Sequence, residues 1–321
     1  MKPVWIILGI LLFLLLVGLS VSYIGFRLAC YAPKKQREKT AAALCPPGDV
    51  YEPFLPQMKT WIAQAEQFSK TRYTITSFDG LTLCADYYEY QKGAPVELMF
   101  HGYRGSVRRD LSGGIHRCFA VGHNVLAVHQ RSSAESEGKV ITFGIKEHKD
   151  CLDWIDFLIG LQGADVKIML TGISMGAATV LMASDQDLPE NVVGILADCG
   201  YTSPKAIIKK VIKDLKLPPN LLYPFVRLGA RLFGKVDLES HAPLQAVANS
   251  KVPILFVHGD TDAFVPYNMS RQLYDACKGE KRFLTVKGAG HGLSFAVDAK
   301  GYYDTLLEFC ALCGIPTQLQ E

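Results

Sequence analysis

Hydrophobic and polar positions divide the first seventy residues into three stretches. Residues 3–26 carry no charge and are dominated by Leu, Ile and Val; at helical rise this is long enough to cross the hydrocarbon layer of a bilayer. A basic stretch follows, and Cys45-Pro46-Pro47-Gly48 stops any helix begun in it. Over residues 53–70, Phe54, Met58, Trp61, Ile62, Ala65 and Phe68 return every three or four positions, which predicts an amphipathic helix.

Beyond residue 70 the period changes. Residues 73–78 alternate, Asp79-Gly80 is a two-residue hairpin signal, and 81–88 resume as a strand, so an antiparallel hairpin is expected. Short apolar runs then recur at 96–100, 124–128, 167–171, 192–198, 252–258 and 282–286, separated by helical segments such as 146–159, 175–184 and 298–312. This spacing predicts an α/β fold: a mostly parallel sheet behind an N-terminal antiparallel hairpin, with helices on both faces. Between Cys199 and His241 the alternation breaks into two apolar helical segments dotted with Lys and Arg, on either side of Pro218-Pro219. They are expected to form a small helical cap, about 200–240, over the site; the alternative is a surface hairpin without substrate contact. The predicted organisation is a transmembrane helix at 1–27, a juxtamembrane linker and amphipathic helix at 28–70, and an α/β domain at 71–321.

Composition narrows the picture. With 49% hydrophobic and 20% charged residues the chain is unlike a disordered one. A net charge of +3, without a long basic run or a nucleic-acid-reading motif, gives no reason to expect a nucleic-acid partner. Charge placement says more. Arg27, Lys34, Lys35, Arg37 and Lys39 follow the apolar stretch, whereas Lys2 and the terminal amine precede it, which predicts that the rest of the chain stays in the cytoplasm. Nine scattered cysteines, an odd number, agree with a reducing compartment. The competing reading is a cleaved signal peptide on an exported protein, since Ser20-Val21-Ser22 loosely fits a cleavage site. The apolar stretch is longer than the roughly 7–15 residues of a signal core, which favours an uncleaved anchor.

Candidate chemistry centres on Gly172-Ile173-Ser174-Met175-Gly176, between a predicted strand and a predicted helix. A sharp strand-to-helix turn needs small neighbours, and it would project the Ser174 hydroxyl. Alone, Ser174 reads better as a helix N-cap between two packing glycines. A serine nucleophile also needs a base and a group to orient it. Both occur later in the chain: His258-Gly259-Asp260-Thr261-Asp262-Ala263-Phe264-Val265-Pro266 follows one apolar run and Gly288-Ala289-Gly290-His291-Gly292 the next.

These three segments, in this order, resemble the α/β-hydrolase superfamily, especially bacterial esterase-like and serine-aminopeptidase-like members, from about residue 73 onward. The resemblance implies Ser174 as nucleophile, His291 as general base and Asp262, rather than Asp260, as the orienting acid. It also implies an oxyanion hole from the backbone N–H groups of Met175 and of Tyr103, the latter within His101-Gly102-Tyr103-Arg104-Gly105. One segment departs from the pattern: His129, Ser133 and Ala134 stand where relatives often carry Asp, His and Gly.

Other polar residues are expected to be structural. His101, His129 and His258 lie at strand ends, Glu147, Asp150, Asp153 and Asp156 form what reads as a solvated helix face, and Cys199 lies outside the nucleophile turn. No metal-ligand spacing such as HExxH occurs, and no metal or cofactor is expected. The expected function is hydrolysis of carboxylic esters, with lipid or other acyl esters favoured by the anchor and by Lys209, Lys210 and Lys213 in the insert. A serine peptidase of the aminopeptidase-like type is one alternative; a non-catalytic membrane-tethered binding protein is another. Oligomeric state leaves no signal in the sequence.

Overall fold

A computed structural model describes residues 2–318. Met1 and 319–321, at the outer ends of the expected anchor and α/β domain, lie outside the described residues. The chain opens with helices α1 (Lys2–Ala29), α2 (Lys34–Ala42) and α3 (Leu55–Gln67), the last preceded by a 3-10 turn over Asp49–Phe54. Strands β1 (Lys70–Thr76), β2 (Thr82–Tyr88) and β3 (Val96–Phe100) lead to α4 (Ser112–Ala120). Next come β4 (Asn124–His129), α5 (Glu147–Gln162), β5 (Ile168–Ile173), α6 (Met175–Ala183) and β6 (Val192–Asp198). The insert supplies α7 (Pro204–Asp214) and α8 (Pro219–Gly234), followed by the short α9 (Pro243–Ala246). The chain closes with β7 (Ile254–Gly259), α10 (Tyr267–Ala276), β8 (Lys281–Val286), α11 (Ser294–Val297) and α12 (Ala299–Leu312).

The eight strands form one sheet in the order β1-β2-β4-β3-β5-β6-β7-β8. β2 pairs antiparallel with both β1 and β4, and every other neighbour is parallel. Because successive side chains point to opposite faces, the central strands divide between two cores. Leu98, Phe100, Leu126, Leu170, Ile195 and Phe256 pack with Trp154 and Leu158 of α5 and Val180 of α6. On the other face, Leu196, Leu255 and Val257 meet Leu306 and Phe309 of α12, and Met99, Val125 and Ala127 meet Ile115 of α4 and Ala65 of α3. Both faces are covered, so these strands read as continuous apolar runs.

The hairpin loop is one residue longer than expected. Ser77 N–H donates to the Leu81 carbonyl at 2.8 Å, enclosing Phe78-Asp79-Gly80. The Ser77 hydroxyl accepts from Leu81 N–H and donates to Asp79, and Gly80 takes a left-handed φ of 87°. These local bonds favour a three-residue loop with its glycine in the left-handed position.

Residues 4–29 form one helix long and apolar enough to cross a membrane, and their most apolar window is not buried in the protein. Its last turns behave differently. Ser22, Phe26 and Cys30 are buried, the latter two in a cluster with Ile207, Val226 and Ala230 of the insert and Met182 of α6. Tyr31 then bridges to Val140, and Ala32 N–H donates to the Lys139 carbonyl.

Two helix-face expectations need correction. Glu147 and Asp150 are buried, not solvated. Glu147 accepts from the backbone N–H groups of Thr142 (2.8 Å) and Gly144 (2.9 Å), and Asp150 accepts from Arg131 at 2.5 and 2.7 Å. Arg131 also reaches Asp79 at 3.0 Å. It comes from the segment that departs from the resembled pattern, so that loop is fixed by a charge bridge between the hairpin and α5. In the same loop the Ser133 hydroxyl donates to the Gly105 carbonyl. Asp153 accepts from Phe78 N–H, and Asp156 alone of the four is fully on the surface.

Candidate active site

β5 ends in a turn that only small neighbours permit. A Cβ on Gly172 would lie 2.2 Å from the Gly176 carbonyl, and one on Gly176 would lie 2.0 Å from the Phe100 carbonyl oxygen. With both positions bare, the chain turns at Ser174, whose φ of 57° and ψ of −113° are unusual for a residue with a side chain. Such strain persists where surrounding bonds hold it: Ser174 N–H donates to the Asp198 carbonyl, and its own carbonyl accepts from Ala178 N–H. Met175 starts α6, so its N–H lies among the first donors of the helix, which have no intrahelical acceptor.

The loops after β7 and β8 deliver the partners. His291 Nε2 lies 2.9 Å from Ser174 Oγ, and His291 Nδ1 lies 2.7 Å from Asp262 Oδ2. Asp262 is buried and held on every side. Its Oδ1 accepts from Phe264 and Val265 N–H at 2.8 and 2.9 Å, and its Oδ2 also meets His258 Nε2 at 3.1 Å. Burial opposes its charge, but the bonds from His258 and His291 outweigh that and hold the carboxyl well below the usual range. It stays ionised, and His291 Nδ1 carries the proton that faces it. Asp260 is turned away: its carboxylate accepts from Gly288 N–H on the surface. Sequence order therefore brings Ser174, His291 and Asp262 together and leaves Asp260 out.

His258 has the structural role expected of it, with Nδ1 2.6 Å from the Ser270 hydroxyl and Nε2 between Val265 O and Asp262. His101 is likewise internal: Nδ1 donates to the Gly102 carbonyl, Nε2 accepts from Gln130 N–H, and burial pushes its pKa down to about 4. His129 meets Asp86 at 3.3 Å. Cys199 is buried beside the triad, its sulfur within 4.8 Å of the nearest ligand atoms of Asp262 and His291. Burial raises its thiol pKa far above the ordinary value, so it stays protonated, and it does not line the cavity.

The loop after β3 places Gly102 against Ser174, with a Cβ there 3.6 Å from the Ser174 Cβ. Tyr103 follows and lines the same cavity. Its ring stacks on Phe143 with centroids 5.3 Å apart, and its hydroxyl donates to the Ala29 carbonyl at 2.7 Å. Arg104 Nη2 donates to the carbonyls of Leu28 and Tyr31. The loop proposed for the oxyanion thus caps the C-terminal end of α1.

A cavity of about 470 Å³ opens over Ser174 and His291. None of its lining residues comes from the insert at 200–240; the cap expected there does not form its wall. The insert is instead packed on α1 and α6. The wall comes from the N-terminal segment, through Gln36, Thr40, Pro46, Pro47 and Tyr51, and from Met58, Trp61 and Ile62 of α3. Tyr51 also donates its hydroxyl to the His291 carbonyl at 3.0 Å. Helical periodicity marks Met58, Trp61 and Ile62, whereas nothing periodic in the sequence marks Gln36, Thr40, Pro46, Pro47 and Tyr51. At the floor, Asp198 accepts from Ser294 Oγ at 3.0 Å and meets the Tyr302 hydroxyl at 3.4 Å, and burial pushes its pKa up to about 6.

Comparison with known proteins decides the family. A model of the prolyl oligopeptidase family matches residues 141–313, more than half of the chain and all three of these residues. The chain belongs to the prolyl oligopeptidase family. Among sequences, this family member is 24% identical to the uncharacterised protein YqkD of Bacillus subtilis over 245 residues, 76% of this chain and 80% of that one. An uncharacterised protein of Mycobacterium tuberculosis is also 24% identical, over 72% of this chain and 75% of its own. Among structures, an esterase of Pyrococcus furiosus superposes with a TM-score of 0.62 at 20% identity, covering 78% of this chain and 93% of that one. The acylaminoacyl peptidase of Pyrococcus horikoshii gives 0.55 at 20% identity, covering 79% of this chain and 43% of that one. At such identities the structures share the α/β-hydrolase fold.

Proposed function

We propose that this prolyl oligopeptidase family member is a membrane-anchored serine hydrolase that cleaves carboxylic ester bonds through an acyl-enzyme on Ser174. The observation that carries the reading is the continuous hydrogen-bonded line Ser174 Oγ to His291 to Asp262, at 2.9 and 2.7 Å, on a strained strand-to-helix turn. His291 Nε2 takes the Ser174 proton as Oγ attacks the carbonyl, and Asp262 stabilises the imidazolium that forms. Negative charge on the attacked oxygen falls to the N–H groups of Met175 and Tyr103. His291 then protonates the leaving group, and water, activated by the same imidazole, releases the acid.

The cavity favours esters with an apolar acyl part. Met58, Trp61, Ile62, Met99 and Phe295 line it, and its ionic groups are already engaged: Arg109 Nε donates to Asp110 at 2.5 Å, and Asp198 is buried in its own bonds. No free carboxylate among the lining residues faces an incoming peptide amine, which disfavours an aminopeptidase. A peptidase acting on blocked peptides is the second reading, favoured by the family itself.

The anchor reading is supported by the packing of α1. Cleavage after residue 22 would remove the buried Ser22, whose carbonyl lies against Gly229 of α8, together with Gly18, which lies against Phe225. The arginine and lysines just after α1 favour a cytoplasmic site. The deciding assay uses the full chain in detergent with nitrophenyl esters of increasing acyl length beside blocked and free aminoacyl nitroanilides, and Ser174→Ala as control. Ester turnover lost in the variant is the expected result. Anilide turnover alone would replace the ester reading with the peptidase one, and no Ser174-dependent turnover would end both.

A further inference from the structure

The insert at 200–240, displaced from the cavity, has a surface that the hydrolytic chemistry does not use. On α8, Leu221, Phe225, Leu228 and Leu232 recur at steps of three and four and so share one face. Leu221 is 62% exposed, Leu228 41% and Leu232 50%. Ahead of them, at the turn between α7 and α8, Leu215 is 65% exposed and Leu217 47%. Exposed apolar stripes of this kind on a soluble surface mark an interaction face.

Its neighbour identifies the partner. Gly18 meets Phe225, Ser22 meets Gly229, and Phe26 meets Phe233. Gly25 meets Val226 as well, so the two helices cross near Ser22 and Gly229, and the contact lies on the uncharged part of α1. The approach is close: a Cβ on Gly229 would lie 2.0 Å from the Ser22 carbonyl oxygen. From Phe26 back to Gly18 is eight residues, about 12 Å at helical rise. If α1 enters a bilayer, α8 is carried to its surface with the leucine stripe beside it.

Charge fits the same surface. Residues 200–240 hold eight Lys and Arg against three Asp and Glu, in a chain whose total charge is +3. Lys205, Lys209, Arg227 and Arg231 line one shallow groove on the hairpin with Glu239; Arg227 and Arg231 pair with Asp237 and Lys205 with Glu239, so the basic excess of the hairpin falls to lysines such as Lys209, Lys213 and Lys216. An amphipathic helix with an apolar face and a basic edge lies in the interface of an anionic bilayer, its apolar side among the upper acyl chains.

We propose that the α7–α8 hairpin is a second membrane-contacting element, with the Leu221, Phe225, Leu228 and Leu232 stripe in the acyl boundary and the basic edge at anionic headgroups. The proposal rests on the anchor reading of α1. Together the two helices seat the α/β domain on the membrane in one orientation, rather than leaving it on a free tether.

The test is photo-crosslinking of the full chain reconstituted in phosphatidylethanolamine–phosphatidylglycerol vesicles, with benzoylphenylalanine placed singly at Leu221, Leu228 or Leu232. Leu11 on α1 serves as the anchor control, and Leu161, exposed on α5, as the soluble control. The expected result is a mass shift of one phospholipid at the three stripe positions and at Leu11, and none at Leu161. Lipid adducts at Leu11 without any at the stripe would overturn the hairpin proposal while leaving the anchor intact. No adduct at Leu11 either would overturn both. Crosslinks from the stripe to a second copy of the chain, in place of lipid, would make the face a protein interface and sink the proposal. Circular dichroism matching the parent protein qualifies each variant, and three positions on one stripe guard against a single misfolded one.

Discussion

Replacing Asp262 by Asn tests the proposed mechanism most directly, because the site fixes which way the amide must face. Asp262 Oδ1 accepts two backbone N–H groups, from Phe264 and Val265, while Oδ2 faces His291 Nδ1 and His258 Nε2. Asn has one oxygen for these two jobs. Turning its NH2 toward the backbone would leave buried donors without acceptors, at about 1–3 kcal/mol each. The oxygen therefore stays at the Oδ1 position and the NH2 faces His291. His291 Nδ1 must then accept, its proton moves to Nε2, and Nε2 can no longer take the Ser174 proton. His258 retains the Val265 carbonyl as a partner at 2.9 Å, so the loop keeps its shape. A wrong tautomer of this kind lowers turnover by about 10⁴, equivalent to about 5.5 kcal/mol of transition-state stabilisation. The assay is kcat/KM on a nitrophenyl ester for Asp262→Asn beside Asp260→Asn, with thermal melting to show that both are folded. The Asp260 carboxylate, at the surface, accepts from Gly288 N–H, and its variant is expected to stay within a few-fold of the parent. A folded Asp262→Asn that loses less than about tenfold would refute the assignment.

Three further outcomes are expected. Tyr51→Phe removes one hydrogen bond to the His291 carbonyl, of about 1 kcal/mol, and should lower kcat roughly fivefold without altering the melting temperature by more than a few degrees; unchanged kcat would show that the N-terminal segment does not position the imidazole. Arg131→Ala leaves the buried Asp150 carboxylate without its bidentate partner and should cost about 3–5 kcal/mol in urea unfolding; a loss below 1 kcal/mol would mean that the bridge between hairpin and α5 is dispensable. The pKa of Asp198 is raised to about 6 in the folded chain, against about 3.9 unfolded, so its favourable contribution is complete below the unfolded value and is lost as pH rises through about 6. Asp198→Asn should remove that loss, flattening the stability profile between about pH 4 and pH 6 by an amount on the order of 3 kcal/mol; an identical profile in the variant would contradict it.

What the sequence discloses here is whatever repeats locally. The apolar runs of the central strands are legible because both sheet faces are covered, and the Ser174 turn is legible because Gly172 and Gly176 must be bare. Ser174, Asp262 and His291 each sit in a short segment whose composition betrays its turn. The errors come where a residue's environment is set by a distant partner. Glu147 and Asp150 look like the polar stripe of a surface helix until Thr142 and Arg131 close over them. The Asp79-Gly80 hairpin gains a residue because Ser77 bonds across it.

The largest departure concerns which segment covers the site. An insert between β6 and β7 is where a cap is expected on fold-level grounds, yet Val226, Gly229, Ala230 and Phe233 of it are spent on α1. Gln36, Thr40, Pro46, Pro47 and Tyr51 share no period and belong to a stretch that reads as linker, and they line the cavity only because the chain returns from α1 across the mouth of the site. The consequence is a shared boundary. The family match begins at residue 141, but His291 leans on Tyr51, and the Tyr103–Arg104 loop leans on the last carbonyls of α1. On the proposed reading, a helix that ends in carbonyl groups bound by the loop assigned to the oxyanion is more than a tether: displacing it would free Arg104 and Tyr103 together, at the position where negative charge is to be met. Segment 28–62 therefore belongs to the proposed site as much as the strands do.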